Sequence, residues 1–159
     1  MKWLIDLIVI IVIILALVIW IIALRKRLLS LWQEVTGHEV AFYRQLEKVI
    51  RLFYEHLAEL TTEDNIEFVR TLKRYRKKKI RSLLLSKRQD LYNSITLIFD
   101  EVEESELTSY NIIEEEYDQL QKIRRIYNSR VLIYNQTISV FPTRYLALRM
   151  NLEIKEYFG

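Results

Sequence analysis

The side chains that could do chemistry in this sequence are two histidines, a run of nine basic residues and a run of nine acids. His38 and His56 stand 18 positions apart, about 27 Å along a helix and too far to share a metal ion. Neither falls in a Glu-x-x-His or His-Glu-x-x-His spacing, which excludes the di-iron bundle and the zinc hydrolase arrangement. No cysteine is present, so disulfides, thiolate metal sites and a cysteine nucleophile are absent. No serine has a Gly-x-Ser-x-Gly setting. Gly37 and Gly159 are too distant for a phosphate-cradling loop. The expectation is a protein that is not an enzyme and carries no cofactor or metal.

The charge runs remain to be explained. Lys73, Arg74, Arg76, Lys77, Lys78, Lys79, Arg81, Lys87 and Arg88 follow one another without an acid. Asp100, Glu101, Glu103, Glu104, Glu106, Glu114, Glu115, Glu116 and Asp118 follow without a base. Three uses compete for the basic run: a solvated face balanced by acids elsewhere, a docking patch for a protein or for anionic lipid, and a phosphate-contact patch for nucleic acid with Tyr75 interleaved. The order given is the order the composition favours, because one-sided charge alone says little about a partner.

Elements that would position these side chains must be helical. Two glycines and one proline in 159 residues leave too few turn residues for a sandwich, a barrel or a doubly wound sheet. Trp3 to Leu24 reads WLIDLIVIIVIILALVIWIIAL, with Asp6 its one charge. Its last 18 residues, Leu7 to Leu24, are uncharged and span about 27 Å as a helix, close to the hydrocarbon thickness of a bilayer. The run is too long for a signal-peptide core, and no small-x-small cleavage site precedes Arg25. It reads as a single-pass transmembrane anchor. Trp3 and Trp20 serve as interfacial aromatics and Arg25, Lys26 and Arg27 form the basic flank. That flank predicts an N-terminus outside and a cytoplasmic C-terminal part. The chain thus divides into an anchor segment, residues 1–24, and a helical domain, residues 25–159.

The anchor helix is expected to continue into the domain, with a bend at Gly37. Leu28, Leu31, Val35, Phe42, Leu46, Val49, Phe53 and Leu57 recur at helical steps. Thr61 with Asp64 suggests a capping box. A second helix follows over about Glu63–Glu104, broken near Ser86–Asp90, with Val69, Leu72, Ile80, Leu83, Leu91, Ile95, Ile98 and Val102 on its apolar face. A turn over Ser105–Ser109 leads into a third helix. There Ile113, Tyr117, Leu120, Tyr127, Val131, Tyr134, Ile138 and Phe141 form a heptad seam interrupted only by Arg124. Pro142 ends that helix, and a short fourth is expected over about Thr143–Glu156. Long helices joined by short turns alternate in direction. The predicted fold is therefore all-α: an N-terminal transmembrane helix followed by an antiparallel three- or four-helix bundle, coiled-coil-like in its seam.

The third helix is more specific than a heptad requires. Tyr127-Asn128, Val131, Tyr134-Asn135, Ile138 and Phe141-Pro142 give the pattern YN-x2-V-x2-YN-x2-I-x2-FP. With Ala147 and the closing Tyr157-Phe158, this resembles the LemA family of bacterial membrane-anchored helical proteins. Matching covers roughly the last 50 residues. Asn151-Leu152 stands where members usually show Gly-Phe, and the first helix lacks the arginine-rich, proline-containing stretch expected after the anchor. The resemblance implies a membrane helix plus an antiparallel bundle, and it brings no biochemical activity with it. Asn128 and Asn135 lie about 100° round the helix from the seam tyrosines. Two roles are open to them: fixing bundle register by bonding to a neighbouring helix, the commoner one, or lining a polar groove between the third and fourth helices. The functional expectation is a non-catalytic scaffold or interaction protein presenting a charged bundle to a protein partner at the membrane. Its rival is a tethered sensor or binding module for a ligand, anionic polymer or lipid. Nothing in the sequence sets the oligomeric state.

Overall fold

The computed structural model describes residues 2–76, 78–101 and 110–159. Lys77, Val102, Glu103, Glu104, Glu106 and the expected turn over 105–109 lie outside the described residues. Those described form helices and no strand: α1 (Lys2–Glu55), α2 (Leu57–Leu60), α3 (Ile66–Tyr75), a 3-10 turn (Ile80–Ser82), α4 (Leu85–Asp100), α5 (Tyr110–Ser139) and α6 (Thr143–Arg149). The protein is all-α. The chain divides into two compact units, one of residues 1–36 with 130–156 and one of residues 37–129 with 157–159.

α1 contains a helical run long and apolar enough to cross a membrane, and among the described residues nothing covers that run. Its side chains from Trp3 to Ala23 are exposed. From Leu28 onward the helix becomes amphipathic as its spacing predicts: Leu28, Val35, Phe42, Leu46, Val49 and Phe53 are buried, while Leu31 and Leu57 are half-buried. Gly37 is helical, within α1.

Several boundaries differ from expectation, each for a local reason. The reciprocal pair in the turn before α3 is Thr62 with Asn65, one residue later than the predicted Thr61–Asp64 capping pair, and the N-cap residue Asn65 makes no side-chain bond into the helix. The Thr62 amide donates to Asn65 Oδ1 at 3.0 Å and the Asn65 amide to Thr62 Oγ1 at 3.3 Å. The buried Asn65 side chain also donates to the Leu60 carbonyl at 2.7 Å. α3 therefore starts at Ile66. The break in the second helical stretch falls between Tyr75 and Leu85, and the predicted break at Ser86–Asp90 is helical. Like charges stacked at i, i+4 disfavour helix through the basic run, whereas Lys87 and Asp90 support the first turn of α4 with a 3.2 Å ion pair. α6 ends at Arg149 rather than near Glu156. Asn151 has φ 51°, a left-handed conformation that asparagine tolerates and that terminates helices. The Leu152 amide closes the end on the Ala147 carbonyl at 3.0 Å.

In the first unit Leu28, Val35, Val131, Tyr134, Ile138 and Ala147 are buried. In the second, α3 packs on α4, with Val69 and Leu72 of α3 and Leu91, Tyr92, Ile95 and Ile98 of α4 in its core. The heptad seam of α5 is buried from Ile113 to Ile138 at all seven positions. Phe141, the eighth, is 89% exposed. α5 stops at Ser139, so the seam ends before reaching it.

Candidate functional site

The YN repeat holds the C-terminal tail. Residues 152–159 are not helical, so their backbone amides and carbonyls need partners from elsewhere. In the first unit Asn135 supplies a pair: its Nδ2 donates to the Lys155 carbonyl at 2.7 Å, and the Lys155 amide donates to its Oδ1 at 2.9 Å. In the second unit Asn128 does the same for Phe158, at 2.8 and 2.9 Å. Each carboxamide thus reproduces one rung of a β-ladder with a side chain. Seven residues of helix rise about 10.5 Å and three of extended chain reach about 10 Å, so an asparagine every heptad suits a tail gripped at every third residue. The carboxamides of both asparagines bond to tail backbone rather than across to a neighbouring helix.

The accompanying tyrosines face inward. Tyr134 is fully buried and its hydroxyl donates to the Glu153 carbonyl at 2.9 Å. Burial, with the nearby Glu153 charge, pushes that hydroxyl's pKa up. Tyr127 packs against Phe42, ring centroids 6.0 Å apart. Phe42 also meets Phe158 at 4.6 Å, and Tyr43 and Tyr92 close round Phe158 at 5.7 and 6.4 Å. Arg124, which looks like a flaw in the heptad, donates through Nη1 to the Phe158 carbonyl at 3.2 Å and lies 5.4 Å over the Tyr92 ring. Gly159, at φ 93°, leaves room for it: a Cβ there would lie 2.0 Å from Arg124 Nη1.

The basic run is divided by the fold. Lys73, Arg74, Arg76, Lys78, Lys79 and Arg81 are exposed. Arg88 is withdrawn from the set: it donates to the Tyr43 hydroxyl and stacks 4.9 Å over that ring. Arg76, Lys78 and Lys79 line a cleft of about 310 Å³, whereas Lys73, Arg74 and Arg81 do not. α1 contributes Arg51 and Tyr54 to the same cleft, α3 contributes Tyr75, and among the described residues Glu47 is its one acid. The Arg76 guanidinium lies 5.6 Å over Tyr54 and the Lys78 ammonium 5.5 Å over Tyr75. Burial raises the Tyr54 pKa to about 12, with Arg76 opposing, and its hydroxyl donates to the Leu72 carbonyl. Four cations beside two aromatic rings suit an anion with an apolar or aromatic part. Sequence order hid Arg51 and Tyr54, because they come from a different helix.

The acidic run is also divided. Glu116 accepts from Lys48 and from Gln45 Nε2 at 2.8 Å, and these hydrogen bonds, Lys48's the larger, hold its carboxyl below the usual carboxylate range. His56 Nδ1 stands 3.6 Å from Glu59, and among the described residues no three His, Cys, Asp or Glu side chains gather as a metal site would require. Trp3 and Trp20 are exposed on the apolar run, and Arg25, Lys26 and Arg27 are exposed at its end. Comparison with protein-family models, with curated proteins and with solved structures finds no match to this chain.

Proposed function

We propose that this chain is a non-catalytic, membrane-anchored helical scaffold of the LemA type, which presents a charged antiparallel bundle to protein partners at the cytoplasmic face of a bacterial inner membrane. The observation that carries the reading is the change of character along α1. More than twenty residues of uncovered apolar helix lead into the stripe that opens with the fully buried Leu28. Uncovered apolar surface of that extent needs lipid around it. The basic flank Arg25-Lys26-Arg27 supports a cytoplasmic domain. Two features support the family likeness: each asparagine of the YN repeat has a defined task, and Asn151, where members usually carry glycine, adopts the left-handed conformation that glycine takes most readily.

Mild-detergent purification of the full chain from native membranes, with cross-linking beforehand, tests the scaffold role. Reproducible recovery of the same protein partners supports it, and recovery of the chain alone refutes it. Protease treatment of sealed vesicles of known sidedness tests the orientation, and digestion of the domain from the outer face refutes it.

The basic cleft favours a second reading, a tethered binding module for an anionic ligand. A rise in melting temperature of the detergent-solubilised chain with polyphosphate, reversed by Arg76→Gln with Lys79→Gln, supports that reading. No change excludes polyphosphate-like ligands.

A further inference from the structure

The exposed Phe141 corner belongs to the unit that also holds the apolar run, and its position along α1 can be derived. Glu34 of α1 and Arg130 of α5 form an ion pair at 3.2 Å. From Arg130, α5 continues to Ser139 within the compact unit that contains residues 1–36 but not residue 37 onward. Running the other way, it would lie beside residues of the other unit, so it runs back toward the apolar run. The buried side chains agree: Val35 and Leu28 lie seven apart on α1, Val131 and Ile138 seven apart on α5, and all four are buried. Both helices rise about 1.5 Å per residue, which brings Ile138 level with about residue 26 and the turn at 140–142 level with about residue 24. That is where the apolar run meets Arg25, Lys26 and Arg27.

What the corner exposes there fits a bilayer surface. Phe141 is the most exposed large apolar side chain among the described residues. Tyr145 and Leu148, three apart on one face of α6, follow it, and both are exposed. Thr143 and Ala147, on the opposite face of α6, are buried. Arg144 and Arg149 are exposed and form no ion pair among the described residues, and the Arg149 guanidinium lies 5.9 Å over the Tyr145 ring. An open cleft of about 360 Å³, lined by Ile138, Ala147, Leu148, Leu152 and Ile154 with Arg144 beside them, adjoins this face. Phe, Tyr and Leu flanked by arginines at the end of a membrane span is the composition of an interfacial segment.

We infer that the 140–142 turn and the outer face of α6 form a second membrane contact, on a phospholipid surface. Phe141 and Leu148 enter the boundary between headgroups and acyl chains, and Arg144 and Arg149 take the lipid phosphates. This rests on reading the apolar run as a membrane span. The contact holds the first unit against the bilayer at two points, so the anchor is braced rather than a free tether.

The chain has no cysteine, so single cysteines can be spin-labelled without a background. Full-length Phe141→Cys, Leu148→Cys, Ile13→Cys and Ser129→Cys proteins are reconstituted in vesicles of phosphatidylethanolamine and phosphatidylglycerol. Collision with a water-soluble nickel complex and with oxygen, which concentrates in the bilayer, is then measured. Labels at 141 and 148 are expected to meet nickel several-fold less often than the label at 129, and oxygen more often. The label at 13 should be shielded from nickel most of all. In Arg144→Gln with Arg149→Gln, nickel access at 141 should rise. Labels at 141 and 148 as open to nickel as at 129, with 13 still shielded, overturn the second contact and leave the span intact. Labels at 141 and 148 shielded from both reagents overturn it too, by showing a protein cover. A nickel-accessible label at 13 overturns the span reading and this inference with it.

Discussion

Phe141 and Phe158 are both apolar rings near the C-terminal end, yet one is 89% exposed and the other 1%. Phe158 sits among Phe42, Tyr43 and Tyr92 with its amide on Asn128 and its carbonyl shared by Asn128 and Arg124. Phe141 follows the last residues of α5 and, among the described residues, has no such surroundings. The difference teaches that a ring's place in a heptad does not decide its burial; what decides it is whether the helix and a partner surface extend that far. One region is closed by a non-helical tail folded onto rings, and the other ends in an open apolar corner.

The largest test of that contrast is truncation of both rings. Phe158→Ala removes a fully enclosed aromatic and leaves a cavity, a change that costs about 3–5 kcal/mol. Phe141→Ala removes a ring from open surface and should alter stability by less than about 0.5 kcal/mol. Urea unfolding of each full-length variant in detergent micelles, followed by far-UV circular dichroism, measures both. Comparable losses would break the comparison.

The two asparagines sharpen it. Asn128→Ala and Asn135→Ala each delete two hydrogen bonds to tail backbone, with a cost of about 1–2 kcal/mol. Asn128 is the costlier of the pair, because its partner Phe158 is buried and Lys155 only half-buried, so the freed groups of Phe158 are less able to turn to water. Hydrogen exchange at the Phe158 and Lys155 amides reports the same ranking residue by residue. An equal cost at the two positions would show that the ring cluster adds nothing to the Asn128 latch.

Much of this was legible in the sequence wherever burial follows a helical period. Leu28, Val35, Phe42, Leu46, Val49 and Phe53 of the α1 stripe and the seam from Ile113 to Ile138 are buried as their spacing requires. Periodicity does not say where a helix stops, so Phe141 looked like the next seam position and Glu156 like a helix end. The terminating signal was Asn151, whose left-handed backbone is chemically available to asparagine but not announced by it. The asparagine latches were half legible: the YN repeat stood out, but its partners are backbone groups, which carry no mark in a sequence. The cleft of Arg51, Tyr54 and Arg76 was hidden because its parts are brought together by packing between distant segments. The break between Tyr75 and Leu85 was misplaced because charge repulsion, not a turn residue, makes it.

The smallest test compares a carboxylate from each region. Glu116, in the closed region, keeps its side chain 16% exposed beneath Lys48, and Gln45 donates to it as well. Glu34, in the open one, pairs with Arg130 with both side chains more than a third exposed. Folding lowers the Glu116 pKa. The folded chain therefore releases that proton at a lower pH than the unfolded chain does. Its stabilisation is complete above the ordinary carboxylate range and is lost as pH falls through the lowered value. Urea midpoints between pH 7 and pH 3 should fall less steeply in Glu116→Gln than in the parent, by an amount equivalent to a few tenths of a kcal/mol. Glu34→Gln should change the urea midpoint at pH 7 by less than about 1 kcal/mol equivalent, since an ion pair open to water at both ends contributes little. A loss at pH 7 larger in Glu34→Gln than in Glu116→Gln would mean that the open region holds its charges more firmly than the closed one.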